Sequence, residues 1–137
     1  MLTIDLSGEK LGLTIGSVVS LSLEPPLVGV SVAREAAMHE LLREAGEFAL
    51  SLLAGDQDAV AQHFARGVPP FAHWQGIPLR EAEGPPQIAG ALGWVRCRMA
   101  AEHPAGDHTL FVGEVSSAEV GHGGPALVHV GQSYVSL

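Results

Sequence analysis

Three short strings in the chain combine residue types that often carry chemistry, but each lacks a part that the chemistry requires. Residues 12–17 contain glycines and a serine at the wrong spacing for a phosphate-binding P-loop, and no lysine follows them. The glycine-rich residues 121–124 lead into a proline rather than a helix, so they do not fit the dinucleotide-binding fingerprint. His39 and Glu40 begin a string typical of zinc proteases, yet Arg43 stands where a second histidine is needed. The sequence therefore favours neither these nucleotide sites nor a metal site.

No residue stands out as a nucleophile for covalent catalysis. The chain contains no Gly-x-Ser-x-Gly string of the kind that exposes a serine nucleophile. Cys97 is the only cysteine, so no disulfide can form within the chain, and we expect it to be a small buried hydrophobe. A single unpaired cysteine suits a reducing compartment, and the first residues lack the pattern of a secretory signal. We therefore expect a cytoplasmic protein.

The composition predicts one globular domain that spans residues 1–137. The chain is 47% hydrophobic and 16% charged, with a net charge of -8 that disfavours nucleic acid as a partner. No apolar run is long enough to cross a bilayer, so we expect no membrane partner. The 17 glycines and nine prolines imply many tight turns, which excludes a helix bundle. The expected fold class is mostly β with short helices.

Hydrophobic spacing in the first half predicts two strands followed by a helix. Residues 11–23 end in a period-two alternation that is typical of a half-buried strand. Two prolines at positions 25 and 26 are expected to stop this strand, and residues 27–32 resume as a second one. Helical spacing then begins at Met38, with Gly46 placed to cap the helix end.

The rest of the chain predicts further strands and one more helix. Residues 47–53 form a strand candidate, and a helix follows Asp56 and ends at Gly67. Residues 68–86 are expected to be a long irregular segment in which Phe71 and Trp74 need a place to bury. Three strands are predicted at residues 92–101, 109–115 and 126–137, with a turn at residues 104–107 between the first two. Within the first of these, Trp94, Arg96 and Arg98 share an amphipathic face opposite a core face of Val95, Cys97 and Met99.

Several strings together resemble the flavin reductase-like family, and the likeness covers nearly the whole chain. They are Gly-Leu-Thr-Ile-Gly-Ser-Val from position 12, Ser-Leu-Glu-Pro-Pro-Leu-Val from 22, and His-Glu-Leu-Leu from 39. They continue with Phe-Ala-Leu-Ser-Leu-Leu from 48 and Gly-Asp-His-Thr-Leu-Phe-Val-Gly-Glu-Val from 106, and close with a strand that carries Gly131 and Tyr134. The resemblance implies an FMN-binding split β-barrel that acts as a homodimer.

The resemblance also implies a set of flavin-binding residues. An isoalloxazine ring needs an apolar slot with a few hydrogen-bond donors, and glycine permits a close backbone approach to it. The flavin is expected along residues 14–17, where main-chain groups meet the ring, with the strand end at residues 30–33 beside it. The implied binding residues are Thr14, Ile15, Gly16, Ser17, Ser31, Val32, Ala33, Arg34, Ala36, Ala37 and Arg66. The alternative for Gly16 is a strand bulge with the neighbouring hydroxyls facing solvent.

At the expected phosphate end, this sequence departs from the family pattern. Between the second strand and the first helix, family members carry a pattern similar to Asn-x-Ser-Ser-x-Thr. Residues 33–38 of this sequence read Ala-Arg-Glu-Ala-Ala-Met instead. The expected hydroxyls are missing, and Glu35 adds a negative charge. Helix N–H groups and Arg34 or Arg66 remain as partners for a phosphate.

The resemblance places His108 at the flavin face, where a nicotinamide docks. Its implied role is positioning, because hydride transfer from NADH or NADPH to a flavin needs no protein acid or base. The alternative is a histidine that satisfies turn carbonyls. The implied function is an NAD(P)H-dependent reductase of FMN, or of FAD, that supplies reduced flavin to an oxygenase. A non-enzymatic flavin or electron-transfer protein, and a degenerate member with weak flavin binding, are the alternatives.

Overall fold

The computed structural model describes residues 1–65 and 74–137. Its elements in chain order are β1 Leu2–Leu6, β2 Glu9–Leu13, β3 Val18–Leu23, β4 Pro26–Ala33, α1 Ala37–Ala45, β5 Glu47–Leu52, α2 Asp58–Ala65, β6 Leu79–Arg80, β7 Gln87–Ile88, β8 Gly93–Ala105, β9 His108–Val120, β10 Leu127–Val130 and β11 Ser133–Ser136. The prediction of a mostly β fold with short helices is confirmed. No helix within these two ranges has the length and apolar character that a membrane span requires.

One seven-stranded antiparallel sheet dominates the architecture. Its strand order is β2-β1-β5-β8-β9-β4-β3, so that β2 and β3 are the edge strands. The strands β8 and β9 each have 13 residues and form the central hairpin. Two further hairpins, β10 with β11 and β6 with β7, lie outside this sheet.

The main core lies on the face of the sheet that α1 covers. Met38 and Leu42 of α1 are buried there together with Cys97, whose predicted place in the core is confirmed. Desolvation raises the pKa of the Cys97 thiol to about 12, so this side chain is a packed hydrophobe at neutral pH. The other buried members of this cluster are Leu2, Ile4, Leu11, Val30, Val32, Phe48, Leu50 and Phe111.

Several predicted elements need correction. Residues 11–23 are not one strand, because residues 14–17 separate β2 from β3. The predicted stop at the two prolines is confirmed, because β3 ends at Leu23, but β4 begins at Pro26 itself rather than at residue 27. Residues 126–137 form a hairpin instead of one strand, and Gly131 and Gln132 take positive φ angles in its turn.

Strand β1 and the pair of β6 and β7 were not predicted. Strand β8 continues through Ala105, which shortens the predicted turn at residues 104–107. The predicted helix end at Gly67, and Arg66 and Phe71, lie outside the described residues.

The predicted two-faced pattern of β8 holds only in part. Its register shifts between Arg96 and Cys97, which breaks the strict alternation. Trp94 is buried, and its Nε1–H donates to the Ile88 carbonyl oxygen across 2.8 Å. The Arg80 guanidinium lies over the Trp94 ring, with its Cζ 4.1 Å from the ring centroid.

Candidate functional site

Residues 14–17 connect β2 to β3 and are hydrogen-bonded to α2 and to β4. The Thr14 N–H donates to the Phe64 carbonyl oxygen at 3.2 Å, and the Ser31 N–H donates to the Ser17 carbonyl oxygen at 3.1 Å. Gly16 and Ser17 are exposed. A Cβ added at Gly16 would have no heavy atom within 4 Å, so the space beside this backbone is open. The segment therefore offers accessible backbone at the place where the sequence predicts a flat ring.

The two hydroxyls predicted to bind the flavin, those of Thr14 and Ser17, differ in whether a ligand can reach them. The Thr14 hydroxyl donates to the Ala61 carbonyl oxygen in α2 across 2.7 Å, and it also contacts the Met1 sulfur at 3.7 Å. The Thr14 hydroxyl proton is therefore used in a hydrogen bond that joins the end of β2 to α2. Ser17 is exposed, and Ile15 packs against the main core. Of the two hydroxyls, Ser17 is the one that remains accessible to a ligand.

The end of β4 and the start of β9 are paired. Ser31 lies opposite Leu110, and Ala33 lies opposite His108. The Arg34 N–H then donates to the Asp107 carbonyl oxygen at 2.9 Å. The structure therefore brings the predicted residues 31–34 directly beside His108.

Residues 34–36 form a tight turn that leads into α1. The Ala36 N–H donates to the Ala33 carbonyl oxygen at 3.0 Å, and Arg34 and Glu35 are exposed. Ala36 precedes the helix, and no side chain caps the first turn. Because the first amides of a helix have no acceptor within the helix, the start of α1 presents donors near two exposed side chains of opposite charge.

His108 is partly exposed at the start of β9. Its Nδ1 lies 2.7 Å from the Asp107 Oδ1, and its side chain is 43% accessible. This hydrogen bond lowers the pKa of Asp107 below the usual value, and the charge of His108 acts in the same direction. An ionised Asp107 favours a proton on Nδ1, which leaves Nε2 as the nitrogen for a ligand. The geometry serves a docking role and a turn-stabilising role equally.

Exposed apolar side chains lie on the sheet face that carries His108. Val19, Leu21 and Leu110 surround Gly29, where an added Cβ would come within 2.9 Å of the Val19 Cγ1. Val19 is 46% exposed and Leu21 is 43% exposed. An apolar surface therefore adjoins the polar turn at residues 34–36.

A buried pair beside this turn was missed by sequence reasoning. The His39 Nε2 lies 2.7 Å from the Thr109 Oγ1, and both residues are 2% exposed. The signal was present in the His-Glu string at position 39, which was considered as a metal motif and as part of the family resemblance but not as half of a buried pair.

The predicted burial of Trp74 can also be located in the structure. Trp74 donates from Nε1 to the Lys10 carbonyl oxygen at 2.7 Å and packs on Phe64, so it is anchored by β2 and α2. Among the residues described, none form a cluster of three or more side chains that could bind a metal ion.

A cavity of about 390 Å³ lies away from the predicted residues. Loop residues 54–56 and 122–125 contribute to its lining, together with Gly90, Leu92 and Ser136. It adjoins the end of β9 opposite to His108, and none of the predicted flavin residues within residues 1–65 and 74–137 lines it. The candidate site is therefore an open surface at residues 14–17, 31–37 and 108.

Known proteins resemble this chain over nearly its full length. Residues 1–137 match the family model described as "Flavin reductase like domain". The reductase component of 4-hydroxyphenylacetate 3-monooxygenase from Thermus thermophilus is 43% identical, with 96% of this chain and 83% of that protein covered. An NADH-dependent flavin reductase from Rhodococcus is 40% identical, with 92% of this chain and 69% of that protein covered.

A solved structure shares the fold closely. BorF, the flavin reductase component of a bacterial two-component tryptophan halogenase, superposes with a TM-score of 0.90. It is 35% identical, with 99% of this chain and 88% of that chain covered.

Proposed function

Because the chain belongs to the flavin reductase-like domain family, we propose that it reduces a flavin with NADH and supplies the reduced flavin to an oxygenase. The observation that carries this proposal is that β4 joins the two predicted parts of the site, because Ser31 bonds to Ser17 next to the open backbone at Gly16 and Ala33 pairs with His108. FMN is the proposed flavin, with FAD as the alternative. NADPH is the alternative reductant.

The residues present fit the ring of a flavin. Gly16 leaves open space for a flat group, and the exposed Ser17 offers a hydroxyl beside it. Backbone N–H groups and a hydroxyl suit the carbonyls and nitrogens of the ring, while Val19 and Leu110 supply apolar surface nearby. Thr14 contributes by fixing this segment to α2 rather than by donating its hydroxyl proton.

The phosphate end fits more weakly. The uncapped start of α1 at Ala37 and the exposed Arg34 would face the negative charge of a phosphate favourably, whereas the Ala36 N–H is already bonded to Ala33. Glu35 would oppose it. Val32 is buried and shapes the strand, whereas Ser31 and Ala33 lie on the opposite face. Because the attraction from Arg34 and the start of α1 is opposed by Glu35, the phosphate end supports a flavin that binds weakly, as a diffusible substrate, and leaves after reduction. Arg66 remains a proposed phosphate partner.

A bound flavin accepts a hydride from a reduced nicotinamide, a transfer that requires alignment more than acid–base help. In this scheme, His108 holds the nicotinamide against the flavin. Asp107 orients its imidazole through the 2.7 Å contact at Nδ1.

We also propose a homodimeric split barrel. Strand β3 is an edge of the main sheet and exposes Val18, Val19, Leu21 and Leu23. An edge strand with this much exposed apolar surface is a liability for a monomer unless another chain covers it. A second copy would bury this surface next to the candidate site.

The test is the absorption spectrum of the purified protein, followed by NADH consumption with and without added FMN. We expect little bound flavin and a catalytic rate that depends on added FMN. A permanently yellow protein without NADH oxidation would favour an electron-transfer protein instead. No rate above that of free flavin, with either nicotinamide, and no flavin binding would favour the degenerate alternative.

A further inference from the structure

His39 joins two elements that the candidate site needs at a fixed separation. It is the third residue of α1, and its Nε2 lies 2.7 Å from the Oγ1 of Thr109, the second residue of β9. Its ring also packs against Phe111 with the centroids 5.2 Å apart. The imidazole therefore bridges the beginning of the helix and the beginning of the strand that carries His108.

The turn at residues 34–36 is consequently fastened to β9 at both ends. At its first residue, the Arg34 N–H donates to the Asp107 carbonyl oxygen. Beyond its last residue, His39 holds Thr109. Thr109 is itself paired with Val32 in β4, so that strand, turn, helix and β9 form a closed ring of contacts.

The hydrogen bond between His39 and Glu40 sets the direction of the hydrogen bond between His39 and Thr109. The His39 Nδ1 lies 2.8 Å from the Oε1 of Glu40, and the hydrogen bond lowers the pKa of that carboxyl below its usual value. An ionised Glu40 requires a donor, so the neutral ring carries its proton on Nδ1 and accepts the Thr109 hydroxyl proton at Nε2. Arg43 holds the outer side of Glu40, with its Nη1 2.9 Å from Oε1.

We propose that His39 is a positioning residue for flavin reduction, acting through Thr109 to hold the turn at residues 34–36 in register with His108. This role rests on the proposed function. It goes beyond stability because an apolar residue would fill the same buried space without linking α1 to β9. The bridge fixes the distance between the phosphate end and the nicotinamide end of the site.

A pair of substitutions separates positioning from stability. In His39→Leu, the buried Thr109 hydroxyl loses its partner, and in Thr109→Val, the buried His39 Nε2 loses its partner. Both should lower the melting temperature. The double variant leaves no unpaired group between the two positions, so its melting temperature should recover toward that of the wild type.

We expect the catalytic defect to persist where stability recovers. All three variants should lower kcat/KM for FMN about tenfold, mainly through a higher flavin KM. Thr109→Ser keeps the hydroxyl and should retain kcat/KM within about twofold. Gln62→Ala, which removes only an exposed hydrogen bond to Asp58 on α2, is the control and should also stay within about twofold. Recovery of kcat/KM together with the melting temperature in the double variant would overturn the proposal.

Measurements on the wild type distinguish a failure of the His39 proposal from a failure of the proposed reductase function. If the wild type binds FMN by fluorescence quenching but does not oxidise NADH, the reductase function fails, and the same variants are compared by FMN affinity with the same expected order. If the wild type neither binds nor reduces FMN, both are overturned.

Discussion

The backbone N–H of Arg34 donates to the carbonyl oxygen of Asp107 across 2.9 Å and so fastens the turn after β4 to the residue that precedes His108. The contact continues the pairing of Ala33 with His108. A displacement of β4 is therefore transmitted to His108. The flavin and nicotinamide ends of the proposed site are joined through backbone bonds, so a side-chain substitution that leaves these bonds in place tests the role of one residue.

His108→Ala should raise the nicotinamide KM about fivefold, the equivalent of roughly 1 kcal/mol for one hydrogen bond, and change FMN affinity little. The physical reason is that His108 is partly exposed and available to a ligand, whereas residues 14–17 are untouched. Steady-state kinetics with NADH and FMN varied in turn provide the measurement. Equal losses for both substrates, or only a lower melting temperature, would assign His108 to the turn alone.

Gly16→Ala should weaken flavin binding without destabilising the fold. The added Cβ meets no heavy atom within 4 Å, but it occupies the open space proposed for the ring. Gly113→Ala is the opposite case, because its Cβ would come within 2.7 Å of the Cys97 Cβ. Overpacking of that kind should cost about 1–3 kcal/mol of unfolding free energy.

Urea unfolding and FMN fluorescence quenching measure the two effects. Unchanged FMN affinity in Gly16→Ala would remove this glycine from the proposed ring site.

Leu23→Asp should weaken the proposed dimer while leaving the monomer folded. Leu23 is 88% exposed, so the substitution disturbs no internal packing, but it places a charge on the apolar edge strand. Sedimentation at micromolar concentration should show a dimer for the wild type and a larger monomer fraction for the variant. A wild type that sediments only as a monomer would contradict the dimer, and a variant that remains dimeric would place the interface elsewhere.

Local signals in the sequence predicted much of the fold. Gly46 ends α1 with a φ of 68° because a left-handed residue at a helix end suits glycine, and this depends only on neighbouring residues. The burial of Cys97 followed from its apolar surroundings. Tertiary contacts account for two of the errors. The break after β2 is accompanied by a hydrogen bond from Thr14 to Phe64 in α2, and β1 exists through pairing with both β2 and β5.

In the candidate site too, some features could be predicted from the sequence and others depend on tertiary contacts. Resemblance supplied the strings at residues 14–17 and 106–109, in which Gly16 and Ser17 are exposed and His108 is partly exposed. The commitment of the Thr14 hydroxyl to Ala61 was not predictable, because it depends on how α2 packs on β2. The His39–Thr109 bond joins residues 70 positions apart and needs the β4–β9 register to bring them together.

Glu102→Gln should reduce the loss of stability at acidic pH. The hydrogen bond from Arg43 lowers the pKa of Glu102, so ionised Glu102 stabilises the folded state above the pKa of an unfolded glutamate, about 4.3. This contribution is lost as the pH falls through the lower folded-state value. Urea midpoints from pH 7 to pH 3 should therefore fall less steeply in the variant. The effect should shrink at high salt, since both side chains are partly exposed.

Equal slopes for Glu102→Gln and the wild type would show that the Arg43 pair does not contribute to acid unfolding. Glu114→Gln, an exposed strand residue, is the matched control for removal of one negative charge.

Glu35→Ser should tighten FMN binding and leave riboflavin binding nearly unchanged. Glu35 is exposed in the turn before α1, where the proposed flavin carries its phosphate. A carboxylate several ångströms from a phosphate dianion costs about 1 kcal/mol per charge pair in water-like surroundings, and salt screens this cost. Serine removes the repulsion and adds a hydroxyl donor, which contributes roughly another 1 kcal/mol through a charge-assisted hydrogen bond.

Both effects of Glu35→Ser have the same direction, and riboflavin is the internal control because it keeps the ring and lacks the phosphate. Fluorescence quenching titrations at low and high salt measure both affinities, and the gain for FMN should be larger at low salt. Glu44→Ser, an exposed acidic residue near the opposite end of α1, controls for the change in net charge. FMN affinity that stays constant at low salt would show that Glu35 lies away from the phosphate and that the flavin is oriented differently.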